Sequence, residues 1–156
     1  MHKILILTVG KLKETQWQEA QREYSLRSAP FSKLEVVEVA PEPITGTVDA
    51  ARSMKEEGAR LLARLKEGDA VIALDRLGKS LASEELAAAM AELGDGGRRL
   101  VFIVGGAAGL DRTVLDRTER RVSLSKMTFT HEMARIILLE QIYRAETILA
   151  GKKYHY

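Results

Sequence analysis

Five residues at the end of the sequence, Lys152, Lys153, Tyr154, His155 and Tyr156, put two cations, two phenols and an imidazole side by side. Phenol rings stack on nucleobases, and an imidazole exchanges a proton near neutral pH. Docking of the tail into the protein's own core is the plainer alternative. Three other groups have chemical potential. Gly105-Gly106-Ala107-Ala108-Gly109-Leu110 lets backbone approach a ligand closely, because glycine has no side chain in the way. Glycines between a strand and a helix are also common turn formers, and this run matches neither the GxGxxG dinucleotide pattern nor the P-loop. Ser125, Lys126 and Thr128 form a polar stretch that suits either a ligand loop or an ordinary turn. Arg135 and Arg144 carry guanidinium forks suited to phosphate. Arg144 also stands four residues after Glu140, where the pair is worth only about 0.3–0.5 kcal/mol on a surface helix. No serine lies in a G-x-S-x-G setting, so nucleophilic hydrolysis has no support.

These groups need elements to hold them. Lys3–Val9, Ala70–Leu74 and Leu100–Val104 are continuous apolar runs of strand length, as in a parallel sheet buried on both faces. Leu34–Val39 is interrupted by Glu35 and Glu38, which predicts an edge or near-edge strand, and Val122–Leu124 is a short fifth. Helices are predicted over Thr15–Arg27, Val48–Lys66, a segment capped by Ser83 and stopped at Gly94, Asp111–Arg121, and Thr130–Ala150. In the second, Ala51, Met54, Gly58, Leu61 and Leu65 mark the inward stripe. In the last, Thr130 is the expected N-cap and Gly151 the expected stop. Its run Ile136-Ile137-Leu138-Leu139 is apolar all round one turn, which predicts cover on more than one side. Alternating strands and helices give an α/β fold with a mainly parallel sheet flanked by helices. Ligands bind such sheets beyond the carboxyl ends of the strands. Leu74–Gly78, Gly105–Leu110 and Leu124–Phe129 lie at three of those ends, all late in the chain.

Composition fits one domain spanning residues 1–156, with 46% hydrophobic and 29% charged residues. The formal net charge of +2 permits a nucleic-acid partner without arguing for one. Arg112, Arg117, Arg120, Arg121 and Lys126 cluster, but Asp111, Asp116 and Glu119 are interleaved with them, so a solvated face explains them at least as well. Without cysteine, and with histidines only at 2, 131 and 155, no metal site is expected. No apolar run approaches the ~18 residues of a membrane span, and the opening MHKILILTVGKLKE lacks the features of a signal peptide. A cytoplasmic location is therefore expected.

Several stretches carry a family resemblance: ILTVGKLKE at the start, EGARLLARL, IALDRLGK, FIVGGAAGL, SLSKMTFTHEMARIILLEQIYRA and the YH near the end. Taken together the chain resembles, nearly end to end, the ribosomal large-subunit pseudouridine N3-methyltransferases (RlmH) of the SPOUT class. The resemblance implies a SPOUT-type α/β knot, with a trefoil knot in the C-terminal half from about residue 70, and a homodimer. It implies S-adenosylmethionine as cofactor, held by Leu74, Gly105, Leu124, Ser125, Lys126, Met127, Thr128 and Phe129. It implies methyl transfer to N3 of a pseudouridine in large-subunit rRNA within an assembled ribosome. Tyr154 and His155 would stack the base and handle its proton, in a site completed by the other subunit. Arg135, Arg144, Lys152 and Lys153 are candidates for rRNA phosphate contact. Two positions depart from the family pattern. Ala107 and Ala108 stand where relatives carry a polar or acidic residue, and Tyr156 stands where they carry a cation. A non-catalytic ribosome-binding or assembly protein with the same fold is the alternative.

Overall fold

A computed structural model of the chain describes residues 1–154, apart from the side chains of residues 47 and 48. Strands β1 (His2–Val9), β2 (Ser32–Val39), β3 (Ala70–Ser80), β4 (Leu100–Val104) and β5 (Arg120–Ser123) form one sheet in the order β2-β1-β4-β3-β5. Every neighbouring pair is parallel. The apolar runs are buried because both faces are covered. Ile4, Ile6, Ile72 and Phe102 join Leu86, Met90, Leu138 and Ile142 on one face, under α1 (Thr15–Ser28), α3 (Ser83–Leu93) and α5 (His131–Leu149). Leu5, Leu7, Val71 and Ile103 join Leu61 and Val114 on the other, under α2 (Thr47–Leu62) and α4 (Arg112–Asp116). Strand β2 is an edge strand, as its two glutamates predict.

Helix α5 packs between α1 and α3, so its covering on more than one side is borne out. Its ends follow the expected chemistry. Met133 N–H donates to Thr130 Oγ1 at 3.3 Å. At the other end Gly151 takes a φ of +65°, and Lys152 N–H and Gly151 N–H return to Thr147 O and Ile148 O at 2.8 and 3.1 Å. Those two bonds make a Schellman stop.

Four expectations need correction. Strand β3 does not end at Leu74. Its register with β5 breaks between Leu74 and Lys79, so Asp75–Gly78 bulges out and Lys79 and Ser80 resume pairing. Gly78 makes this possible, since a Cβ there would lie 2.6 Å from the carbonyl carbon of Arg121. Helix α4 is only Arg112–Asp116, because Arg120 and Arg121 already belong to β5. Ala82 rather than Ser83 caps α3, its N–H donating to Glu85 Oε2 at 2.7 Å, while Ser83 Oγ donates to Gln141 Oε1 at 2.6 Å. The inward stripe of α2 is also rotated from the expected one. Ser53, Glu57, Gly58 and Leu61 are buried, whereas Ala51 is exposed and Met54 and Leu65 are only partly covered.

Candidate active site

The carboxyl ends of β3, β4 and β5 and the first turn of α5 surround a cleft of about 840 Å³. The bulge brings Leu74, Asp75, Arg76 and Leu77 to its edge. Strand β4 delivers Val104 and then the whole Gly105–Leu110 turn. Gly109 (φ +88°) closes that turn by donating its N–H to Gly106 O at 3.0 Å. A Cβ on Gly105 would stand 2.9 Å from Leu110 Cδ2 and 3.1 Å from the Gly109 carbonyl carbon, so the turn folds back closely on itself at this glycine. From β5 come Val122, Ser123, Leu124, Ser125, Met127, Thr128 and Phe129. That loop is held from within. Ser123 Oγ donates to Ser125 O at 2.9 Å, and Met127 N–H donates to Ser125 Oγ at 3.0 Å. This is the local side-chain-to-backbone bonding that favours serine in turns.

The structure thus brings together Leu74, Gly105, Leu124, Ser125, Met127, Thr128 and Phe129. Lys126 belongs to the same loop but is exposed and does not line the cleft. Sequence reasoning missed the first turn of α5, where Thr130, His131, Glu132 and Ala134 complete the wall. His131 Nε2 lies 3.1 Å from Glu132 Oε1, while its Nδ1 is buried without a partner. The signal was available in principle, because the N-terminus of α5 directly follows the third strand-end loop.

Arg135 corrects the RNA-contact expectation. Its side chain is fully buried (0% exposed), and the guanidinium is spent inside the protein. It donates to Thr8 Oγ1 at 2.7 Å, Gly10 O at 3.0 Å, Glu38 Oε2 at 2.7 Å and Gln21 Oε1 at 3.2 Å. No phosphate reaches it in this fold; it ties α5 to the ends of β1 and β2. Arg144 forms the predicted pair with Glu140, at 2.5 Å, and also stacks over the Tyr154 ring at 4.7 Å. Lys152 and Lys153 are exposed. Tyr154 packs edge-on against Tyr143 with ring centres 4.7 Å apart and donates to Glu140 Oε1 at 3.2 Å. Burial, then the Glu140 charge, pushes the Tyr154 phenol above its ordinary value, so it stays protonated at neutral pH. Tyr154 does not line its own chain's cleft. Glu140 is nine residues beyond His131, about 13 Å along the helix. His155 and Tyr156 lie outside the described residues.

A family model described as "predicted SPOUT methyltransferase" matches residues 2–155. The chain belongs to the SPOUT methyltransferases. Members of this family generally take their methyl group from S-adenosylmethionine. The cleft suits such a molecule on its own evidence. Its volume lies within the roughly 300–1,000 Å³ of small-molecule sites. Leu74, Leu110, Leu115, Val122 and Phe129 give it apolar walls for an adenine ring, and the glycine turn exposes backbone. Asp75 and Glu132 supply carboxylates to receive ribose hydroxyls or a positive sulfonium and ammonium, and the unpartnered His131 Nδ1 is a further polar contact. Among the described residues, no group of three or more His, Asp or Glu is placed to hold a metal ion. No helix among them is long and apolar enough to cross a membrane.

Proposed function

We propose that this SPOUT methyltransferase methylates N3 of a pseudouridine in large-subunit rRNA, as a homodimer, using S-adenosylmethionine held in the cleft between β3, β4, β5 and α5. The observation that carries the reading is the convergence of Leu74, Gly105 and Leu124–Phe129, far apart in sequence, on that one cleft. S-adenosylmethionine supplies an electrophilic methyl carbon when bound. Everything else is the chain's work. The Gly105–Leu110 backbone and the apolar walls hold the cofactor in one pose, and orientation of this kind is a large part of catalysis. The N3 of the base must lose its proton before it can attack, and His155 is the proposed acceptor, with Tyr154 stacking the extruded base.

Tyr154 stands well along α5 from its own cleft, so the tail is proposed to serve the cleft of the second subunit. The surface supports such pairing. Leu77 (85% exposed), Met127, Phe129 and Met133 put large apolar side chains at the rim of the cleft and on the outer face of α5. Arg144, Lys152 and Lys153 are the proposed phosphate contacts, and an assembled ribosome in the cytoplasm is the proposed setting.

The test is a calorimetric titration of S-adenosylmethionine into the protein and into Gly105→Trp, followed by methylation of ribosomes lacking the modification, read by mass spectrometry of the rRNA. Saturable binding lost in Gly105→Trp, together with a gain of one methyl group on a pseudouridine, is the expected result. Truncation after Gly151 is expected to abolish methylation and keep cofactor binding. Absence of cofactor binding by the wild type would leave a non-catalytic ribosome-binding protein as the better reading.

A further inference from the structure

Against the glycine turn, outside the lining of the cleft, sits a buried carboxylate with no role so far. Glu57 projects from the inward stripe of α2 and is 5% exposed. Its Oε2 accepts the N–H of Glu42 at 3.1 Å. Its Oε1 is buried and has no partner. Both oxygens face Gly106: a Cβ there would stand 2.8 Å from Oε1 and 3.1 Å from Oε2, with Val9 Cγ1 at 3.2 Å. The carboxylate therefore packs against Gly106 of the turn that walls the cleft, and it occupies the space a side chain at 106 would need.

Glu57 is fixed from the other side as well. Arg60, one turn along α2, donates to Ala40 O at 2.8 Å and pairs with Glu42, and Ser53 Oγ, one turn earlier, donates to Pro43 O at 3.0 Å. Beside the apolar Leu61, the inward face of α2 carries these polar groups because they grip the chain leaving β2. This rigid seat holds one free acceptor against a glycine turn. A buried acceptor without a donor raises the free energy of the state that contains it. A shift of the turn that offers it an N–H lowers that free energy.

We infer that Glu57 is a positioning residue of the cleft: its carboxylate fixes Gly106, and its open Oε1 receives a backbone N–H of the Gly105–Leu110 turn when the cofactor occupies the cleft. The inference rests on the proposed reading of the cleft as the S-adenosylmethionine site. Occupancy of the cleft and pairing of Glu57 then favour each other, and the open acceptor is a cost carried by the empty protein alone.

The test compares wild type, Glu57→Gln, Glu57→Ala, Gly106→Ala and Gly106→Ala/Glu57→Ala, each by thermal melting without ligand and by calorimetry with S-adenosylmethionine. A glutamine keeps its carbonyl for the Glu42 N–H and turns an NH₂ group toward the turn, so the acceptor there is lost. The expected result is affinity weakened about tenfold or more in Glu57→Gln, with a ligand-free melting temperature equal to or above wild type. Support of the fold alone would move the two readouts the other way. Affinity within about twofold of wild type overturns the inference. So does a ligand-free melting temperature lowered by more than about 5 °C in Glu57→Gln. If the wild type binds no S-adenosylmethionine, the proposed function falls by itself. The Glu57–Gly106 contact is then decided by the ligand-free melts. Gly106→Ala is expected to destabilise and Glu57→Ala to relieve part of that loss, whereas additive effects would overturn the inference.

Discussion

Arg135 and Glu38 form a 2.7 Å ion pair that joins α5 to the edge strand β2, with the guanidinium fully buried and the carboxylate partly exposed. The same guanidinium reaches Thr8 and Gly10 O at the end of β1, so one side chain fixes the N-terminal half of α5 against two strands. Breaking a buried pair by removing one partner costs about 3–5 kcal/mol. Because Glu38 keeps some solvent contact, Arg135→Leu is expected near the lower end of that range by urea unfolding. A loss below about 1 kcal/mol would contradict the assignment of Arg135 as an internal tie.

Gly78→Ala should be costly without removing any contact. Its methyl would meet the Arg121 backbone at 2.6 Å, and backbone cannot rotate away as a side chain can. A destabilisation of about 1–3 kcal/mol is expected. The bulge that carries Asp75 to Leu77 to the cleft should deform with it, so cofactor affinity should fall as well. Denaturant titration and calorimetry on the same variant check both.

Thr130 caps the helix whose first turn forms one wall of the cleft. Thr130→Ala is expected to cost about 1 kcal/mol in stability. Fraying of that turn would also disorder His131 and Glu132, so hydrogen exchange should quicken at Met133 and Ala134 while the amides of α3 stay as they are.

Asp69, at the opposite end of the sheet from the cleft, governs part of the acid limb. Burial alone would raise its pKa, but Arg99 and the N–H of Lys66 outweigh that and bring the carboxyl below its ordinary 3.8. A carboxylate with a lowered folded value contributes stability above its unfolded pKa and loses it as pH falls through the folded value. Stability should therefore decline below about pH 4 in the wild type. Asp69→Asn should be less stable at neutral pH and show a shallower decline there, as measured by unfolding free energy against pH.

Tyr154 should behave in the opposite sense at high pH. Its folded pKa is raised, so the docked neutral phenol contributes below the ordinary value of 10.0 and is lost as pH rises through the folded one. Ultraviolet titration should show one late-ionising tyrosine that Tyr154→Phe removes. Loss of an ordinarily ionising tyrosine in that variant, with the late phase kept, would mean that the ring does not sit against Glu140.

Much of this was open to inspection along the chain. Strands β1 and β4 read as unbroken apolar runs because both faces of a parallel sheet are covered, so neither face needs polar residues. The caps at Thr130 and Gly151 depend only on a few neighbouring backbone groups, and the structure places them as the residue types predict. The three strand-end stretches follow from the rule that parallel sheets bind at their carboxyl ends, and they do meet at one cleft.

Other features depended on partners far away in sequence. The spacing of α2 points to Ala51, Met54 and Leu65, yet Ser53 and Glu57 are buried, because the surface facing α2 is the polar chain leaving β2 and the backbone of Gly106. Arg135 has the residue type of a phosphate contact. Its burial was decided by Glu38, Gln21, Thr8 and Gly10, 97 to 127 residues away. The bulge after Leu74 exists because β5 pairs with β3 on both sides of it. The sequence alone determined which segments are strands and helices, where β1, β4 and α5 stop and which loops lie at the sheet's binding end, since these depend on local backbone preference and on apolar pattern. Tertiary structure alone decided which polar side chains are turned inward. The sign of that choice depends on whether a distant donor or acceptor offsets the loss of water, and no local pattern contains the distant group.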